Sequence, residues 1–121
     1  MPPDPSPQKA LDAATRVLIV CEVIAGIVDA GEHAFLADVR AQWAAEMGLI
    51  RIGEAVGKIP AAVREQFPDQ PWRQIIDMRN FAAHQYDDLD PHRVWRTLVR
   101  DVPALRRYLS DVVIPGLAGD Q

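Results

Sequence analysis

The helical spacing of apolar residues along most of the chain is the feature that most restricts its fold. Between Gln8 and Ala30, apolar side chains recur every three or four residues, which places them on one side of a helix. The same spacing returns from Leu36 to Ile59 and again after Asp90. No segment shows the alternation of apolar and polar residues that is typical of a strand. The sequence therefore predicts an all-α antiparallel bundle of four to five helices with short connections.

Glycine, proline and aspartate residues indicate where these helices begin and end. The predicted boundaries are Gly31 after the first helix, Pro60 at the start of a short amphipathic turn through Phe67, Asp69–Trp72 before the next helix, and Asp90–Pro91 before the last. Pro103 lies inside the last helix. Because proline lacks an N–H and clashes with the preceding turn, we expect a kink or a restart there.

The apolar tracks also predict which residues face the core. In the first helix they are Leu11, Ala14, Leu18, Cys21, Ala25 and Val28. In the second segment they are Val39, Trp43, Met47 and Ile50, widened by Ala44, Leu49, Ile52 and Val56. In the later helices they are Trp72, Ile75, Ile76, Phe81, Val94, Trp95, Leu98, Val102, Leu105, Tyr108, Leu109 and Val112. The lone cysteine, Cys21, is expected to be a buried and inert thiol.

A chain of 121 residues corresponds to a single domain. We expect a disordered proline-rich leader over residues 1–7, the helical bundle over 8–114, and a tail over 115–121. The apolar run from Val17 to Val28 is interrupted by Glu22 and is too short to cross a bilayer. The N-terminus has no basic region typical of a secretory signal. The predicted compartment is therefore the cytoplasm, without membrane association.

The segment Arg79–Tyr86, with the sequence RNFAAHQY, concentrates the reactive groups of the chain. An arginine binds a phosphate through two donors and stabilises charge in its transition state. A histidine titrates near neutral pH and acts as general base and acid. In RNA the 2′-hydroxyl supplies the nucleophile, so no metal or cofactor is required and a 2′,3′-cyclic phosphate results. Arg79 and His84 are therefore candidate catalytic residues, with Asn80 orienting a phosphate oxygen or the imidazole.

Helical geometry limits how this segment can act. Arg79 and His84 point about 140° apart on a straight helix, so one helix cannot direct both at a small ligand. Two arrangements remove this limit: the helix ends near His84, or a two-fold axis brings two copies of the segment together in a homodimer. We expect both to act together.

Structural roles for the same residues remain open. Arg79 could form an ion pair with Asp77 or Glu54, His84 could cap a helix end, and Tyr86 could be a half-buried aromatic. His33, His84 and His92 do not have the spacing of metal ligands, and we expect no metal site.

Several further motifs accompany this segment in a fixed order. They are IRIGEA at 50–55, PWRQIIDMRN at 71–80, HQY at 84–86, VW at 94–95 and DVP at 101–103. Together they resemble the HepT branch of the HEPN superfamily, over about residues 8–112. Gln85 differs from this pattern, because many members have a glycine there, which puts the presentation of Tyr86 in question.

The resemblance implies a HEPN-like helical homodimer in which two signature motifs form one ribonuclease cleft. It implies a toxin of a toxin–antitoxin module that cleaves RNA, either mRNA or tRNA. The implied partner is an MntA-type nucleotidyltransferase, which neutralises the toxin by transferring AMP to Tyr86. Arg79, His84 and Asn80 would be catalytic, and Glu54 and Arg51 could line the cleft.

The charge of the chain leaves a second function open. Its net charge is −4, which argues against non-specific coating of nucleic acid. However, nine of its eleven arginines follow position 50 and could engage RNA locally. The alternative function is a non-catalytic nucleotide-binding protein or scaffold that binds a nucleotidyltransferase.

Overall fold

The structure is a computed structural model that describes residues 3–77 and 89–119. The helices are α1 (Ser6–Asp29), α2 (Glu32–Ala37), α3 (Val39–Gly57), α4 (Ala61–Gln66), α5 (residues 72–77), α6 (Pro91–Arg96), α7 (Val102–Tyr108) and α8 (Ile114–Gly119). No strand occurs among these described residues. The predicted all-α class is confirmed.

The first two predicted segments contain three helices rather than two. Gly31 ends α1 as predicted, and its φ of 96° lies in the region that only glycine adopts freely. The chain then forms the short α2, and at Asp38 the backbone becomes extended. The Asp38 carboxylate accepts a hydrogen bond from the Arg40 backbone N–H at 2.9 Å, which caps α3. The predicted single helix over 36–59 therefore divides at this cap.

α1 and α3 run antiparallel and pack closely. Gly48 of α3 lies against Val20 and Ile24 of α1, and a Cβ atom placed on Gly48 would be 3.1 Å from Ile24 Cδ1. The absence of a side chain at Gly48 thus permits the short distance between the two helices.

α4 and α5 extend the bundle beyond the end of α3. Pro60 precedes α4 as predicted, and Val63 is buried. Trp72 is buried at the start of α5, and its indole N–H donates to the Phe67 carbonyl at 2.7 Å. That bond satisfies the polar atom of an otherwise apolar side chain, so it fixes the turn between the two helices.

The last helix, Pro91–Gly119, combines α6, α7 and α8 with two π-helical turns, Thr97–Asp101 and Leu109–Val113. Asp90 caps it by accepting from the His92 backbone N–H at 3.0 Å. In the first π-helical turn, the Val102 N–H donates to the Thr97 carbonyl five residues back. This wider turn leaves room for the ring of Pro103. The predicted irregularity at Pro103 is confirmed, but the backbone stays helical instead of restarting.

The end of the last helix differs from the sequence prediction in two respects. Ile114–Gly119 is helical and Leu117 is 1% exposed, so the described part of the predicted tail from Pro115 belongs to the bundle. Val112 is 42% exposed, whereas Val113 is 1% exposed. The π-helical turn has more residues per turn than an α-helix, so it moves the buried position forward by one residue.

The core lies where α1, α3 and the last helix meet. Its largest fully buried side chains are Phe35, Ile24, Ile52, Ile59, Leu98, Leu109 and Leu117. Phe35 of α2 also packs against Trp95, with ring centroids 5.3 Å apart. Burial of this apolar surface is the main stabilising contribution to such a bundle.

One predicted core track is instead on the surface. Trp43 is 66% exposed, Val39 is 53% exposed and Met47 is 50% exposed. Ile19 and Val23 of α1 are exposed to a similar degree. We call these five residues the apolar strip. α3 buries its adjacent side, formed by Ala45, Gly48, Leu49, Ile52, Gly53, Ala55 and Val56, because that side faces α1 and the rest of the bundle.

Within residues 3–77 and 89–119, none of the helices combines the length and the apolar character that crossing a bilayer requires.

Candidate functional site

The predicted site residues fall into two groups in the structure. Arg79, Asn80, His84, Gln85 and Tyr86 lie outside the described residues, as does the predicted core residue Phe81. Their predicted roles stay predictions. Arg51 and Glu54, the two predicted cleft-lining residues, are on α3 and are exposed.

The last residues that the structure describes before position 78 lie beside the last turn of α3. Ile76 is half-buried on α5, and a Cβ atom placed on Gly57 would be 4.0 Å from Ile76 Cγ2. Gly57 is three residues after Glu54 and one before Lys58. The last described residues before the RNFAAHQY segment are therefore neighbours of the C-terminal end of α3.

Arg51 and Glu54 line one groove between α1 and α3. We call it the α1–α3 groove; its volume is about 230 Å³, and it is lined by Arg16, Ile19, Val20, Arg51, Glu54, Ala55 and Lys58. Arg16 comes from α1, and Lys58 follows the end of α3. Three cationic side chains and one carboxylate share this groove, in a chain whose net charge is −4.

A larger cavity has a different chemical character. It has a volume of about 420 Å³ and is lined by Ile52, Gln70, Pro71, Gln74, Ile75, Thr97, Asp101, Val102, Ala104 and Leu105. Among these described lining residues there is no cation, and Asp101 contributes a negative charge. A phosphate would be repelled there, so the α1–α3 groove is the better candidate for an anionic ligand.

The remaining reactive side chains do not form a second site. Cys21 is 2% exposed, and burial raises the pKa of its thiol to about 11. A thiol with this pKa is almost entirely protonated at neutral pH, so the predicted buried and inert cysteine is confirmed. In the part of the chain that the structure describes, no three His, Cys, Asp or Glu side chains are placed to hold a metal ion.

Comparison with known proteins gives the chain its family. A model of the ribonuclease HepT-like family matches residues 17–112, a range that includes Arg79–Tyr86. The chain belongs to the ribonuclease HepT-like family. The HEPN-type resemblance drawn from the motifs is therefore confirmed.

Individual relatives agree with this family assignment. The chain is 36% identical over 72 residues to "Probable ribonuclease HepT" of Thermococcus cleftensis, covering 60% of this chain and 66% of that protein. It is 30% identical over 91 residues to "Putative RNase MJ1380" of Methanocaldococcus jannaschii, covering 75% and 84%. It is 36% identical over 62 residues to "Putative RNase MJ0125" of the same organism, covering 51% and 53%. The match thus spans about half the length of this last relative, and no solved structure matches the chain.

Two features of the α1–α3 groove were not predicted from the sequence. Arg16 and Lys58 are 42 residues apart along the chain, and neither belongs to a motif. Only the antiparallel packing of α1 on α3 brings them together. In α3 alone, the spacing of Arg51, Glu54 and Lys58 at intervals of three and four would have shown that these residues share one side of a helix.

Proposed function

We propose that this HepT-like protein is a metal-independent endoribonuclease toxin. The observation that carries the proposal is the family match over residues 17–112, because Arg79 and His84 lie within it. The names of the relatives support RNA as the substrate class. The cationic α1–α3 groove includes the C-terminal end of α3, the same end that Ile76 of α5 approaches, and it supplies a surface that suits an anionic polymer.

The proposed reaction uses the 2′-hydroxyl of the RNA as its nucleophile. That oxygen attacks the adjacent phosphorus, and the bond from phosphorus to the 5′-oxygen of the next nucleotide breaks. One His84 imidazole accepts the proton of the 2′-hydroxyl, and a second His84, from the other protomer of a dimer, donates a proton to the leaving 5′-oxygen. Arg79 stabilises the phosphorane-like transition state, and Asn80 orients the phosphate. The products are a 2′,3′-cyclic phosphate and a 5′-hydroxyl.

Cleavage of RNA in the presence of EDTA tests this function. We expect the wild-type protein to leave cyclic phosphate ends and His84→Ala to lose about 10²–10⁴-fold in rate, the usual contribution of a general acid or base. His33→Ala is the matched control, because His33 is exposed on α2 and is outside the motif in the sequence. Equal cleavage by wild type and His84→Ala would contradict the assignment. Absence of cleavage by unmodified wild type would favour the nucleotide-binding or scaffold function.

We also propose that the protein acts as a homodimer through the apolar strip. Large exposed apolar patches on soluble proteins mark interaction surfaces. The strip includes Trp43, a residue type enriched at the centre of interfaces. Ile19 belongs both to the strip and to the α1–α3 groove, so a dimer formed here would bring the grooves of two protomers next to each other. This arrangement supports a two-fold cleft, one of the two arrangements that would let Arg79 and His84 act on the same ligand.

Two exposed valines provide a matched test of the dimer. Val23 belongs to the apolar strip, whereas Val112 is exposed on the last helix. We expect Val23→Asp to shift the protein towards monomer in sedimentation velocity, because a charge in an apolar interface is costly to desolvate. Val112→Asp should sediment like wild type. A monomeric wild type, or two variants that sediment alike, would contradict the proposed interface; circular dichroism checks that both variants fold.

The proposed regulation is AMPylation of Tyr86 by an MntA-type nucleotidyltransferase. The added AMP is an anion beside Arg79 and His84 in sequence, so it would compete with the scissile phosphate for the arginine and block entry of RNA. The chain has two tyrosines, and Tyr108 is half-buried on α7 with its ring 6.1 Å from Trp72. Tyr108 is therefore a natural internal control.

Intact mass and peptide mapping after incubation with ATP and an MntA-type enzyme test the regulation. We expect one or more AMP groups on wild type and on Tyr108→Phe, and none on Tyr86→Phe. RNA cleavage by the modified protein should fall, while cleavage by Tyr86→Phe should persist in the presence of the transferase. Modification at Tyr108, or equal modification of Tyr86→Phe, would contradict the acceptor assignment.

A further inference from the structure

The α1–α3 groove brings three cationic side chains together. Arg16, Arg51 and Lys58 are exposed, and they reach one groove from two different helices. Like charges placed close together repel each other, so their gathering is unfavourable unless an anion is bound nearby. Glu54 contributes one negative charge to the groove, which leaves an excess of two positive charges.

The dimensions of the groove suit an extended anionic strand rather than a single anion. Arg51 and Lys58 are seven residues apart, which corresponds to about 10 Å along a helix. Phosphates repeat about every 3.4 Å of axis along one strand of a duplex, so two cations at this separation can contact different phosphates of one strand. Arg16 lies on the opposite wall, on α1, and can contact the strand from its other side.

The floor of the groove is apolar. Val20 and Ala55 line the groove together with the cations, and Ile19 lies where the groove meets the apolar strip. Such a floor accepts the apolar faces of ribose and of an unstacked base while the cations hold the backbone. This combination of a charged wall with an apolar platform is the arrangement by which proteins bind single-stranded nucleic acids.

We propose that Arg16, Arg51 and Lys58 bind the phosphodiester backbone of a single RNA strand in the α1–α3 groove. This inference rests on the proposed ribonuclease function and assigns a backbone-binding surface at the C-terminal end of α3, the end that Ile76 of α5 approaches. Phosphate contacts position a strand without reading its sequence. The groove therefore contributes affinity and register, and the choice of cleavage site depends on other contacts.

The test measures RNA binding without cleavage. The parent protein is His84→Ala, and the probe is a fluorescently labelled, unstructured single-stranded RNA of about a dozen nucleotides, followed by anisotropy over a series of NaCl concentrations. Arg16→Gln, Arg51→Gln and Lys58→Gln are each added to this parent. We expect each to weaken binding several-fold and to reduce the slope of log K against log salt by about 0.7, the value for one phosphate contact on a single strand.

The chain offers matched controls for both residue types. Lys9 is the only other lysine and is exposed near the start of α1, and Arg107 is exposed on the last helix. Lys9→Gln and Arg107→Gln should retain the affinity and the salt slope of the parent. A single-stranded DNA of the same sequence should show the same losses, because the contacts are to phosphates.

The outcomes separate this inference from the proposed function. If wild type cleaves RNA but the groove variants bind as tightly as the Lys9 and Arg107 controls, the groove assignment is overturned and the ribonuclease stands. If wild type does not cleave but the parent binds RNA with the expected losses in the groove variants, the groove assignment stands and the ribonuclease does not. A parent that binds no RNA overturns the groove assignment. Sedimentation of each variant checks that its effect does not arise from loss of a dimer.

Discussion

α1 packs against α3 on one side and against the last helix on the other, and the two interfaces are built differently. On the α3 side, Gly48 brings the helices so close that a Cβ atom there would lie 3.1 Å from Ile24. On the other side, α1 and the last helix line a partly open cavity of about 110 Å³ beside Cys21, Leu98, Val102 and Pro103. At its edge, Arg106 forms an ion pair with Glu22 at 2.7 Å.

The difference follows from local sequence. A glycine removes side-chain volume and permits close packing, whereas Pro103 and the π-helical turn before it widen the last helix and leave space. The candidate functional surfaces also lie on one side of α1 only. The α1–α3 groove and the apolar strip both lie on the tightly packed pair, while the interface with the last helix contributes mainly buried apolar surface. The close packing behind the groove sets the separation of the two helices that carry its cations.

Leu98→Ala should produce the largest change in stability, because it removes buried volume beside an existing cavity. Leu98 is fully buried and lines the 110 Å³ cavity. We expect a loss of about 2–5 kcal/mol in the free energy of unfolding. Urea unfolding followed by circular dichroism at one fixed protein concentration measures it. The neighbouring Val99, which is exposed, provides the control: Val99→Ala should change stability by less than about 0.5 kcal/mol.

If Leu98→Ala and Val99→Ala lost the same stability, the side chains between α1 and the last helix would rearrange more readily than their packing indicates. The cavity would then collapse around the smaller side chain instead of growing.

The sequence predicted those parts of the fold that depend on short-range chemistry. Gly31, Pro60 and Asp90 mark helix boundaries correctly, because a cap or a proline acts on the backbone within a few residues. Asp38 is a cap of the same kind, but the apolar spacing continues on both sides of it. The helical period therefore concealed the break between α2 and α3.

Features that depend on tertiary packing could not be predicted in the same way. The apolar spacing of α3 shows that Trp43 and Met47 share a side, but only the position of α1 decides that this side is exposed. The cations Arg16 and Lys58 meet for the same reason. Arg51 and Glu54 were found because their motif resembles a family, and Arg79 and His84 remain predictions from that resemblance and from their chemistry.

The buried thiol of Cys21 should give stability a pH dependence, on the side of α1 that faces the last helix. Burial raises its pKa from 9.0 to about 11, although the charge of Arg106 acts in the opposite direction. Because the native state holds the thiol proton more tightly, this contribution is fully present below pH 9 and is lost as the pH rises to about 11. A shift of this size corresponds to at most about 3 kcal/mol.

Cys21→Ala isolates this contribution from the other groups that titrate in alkali. Urea unfolding at intervals from pH 8 to 11 should show a smaller decline for the variant than for wild type. If the stability of Cys21→Ala and of wild type declined equally with pH, the thiol would be as accessible to water in the folded protein as in the unfolded chain.

Two adjacent valines test the register that the second π-helical turn imposes on the last helix. Val113 is 1% exposed and Val112 is 42% exposed, the reverse of what an uninterrupted α-helical spacing predicts. We expect Val113→Ala to cost about 2 kcal/mol, for two buried methyl groups and the space they leave. Val112→Ala should cost less than about 0.5 kcal/mol. If thermal or urea unfolding showed a larger loss of stability for Val112→Ala than for Val113→Ala, the last helix would follow an uninterrupted α-helical register instead.

The smallest expected effects come from two glycines that test the tight packing of α1 on α3. Gly26 lies within α1 and has nothing within 4 Å of an added Cβ atom, so Gly26→Ala should stabilise the protein by about 1 kcal/mol through helix propensity. Gly48→Ala receives the same gain, but its methyl group meets Ile24 Cδ1 at 3.1 Å. Because Ile24 is also buried against the last helix, its movement is restricted, and the contact should cancel most of the gain. The melting temperatures of the two single variants, each compared with wild type, measure this difference in stability. An equal rise in melting temperature for both variants would mean that Ile24 moves freely into the 110 Å³ cavity. Space at the interface with the last helix would then remove the close contact at the α1–α3 interface.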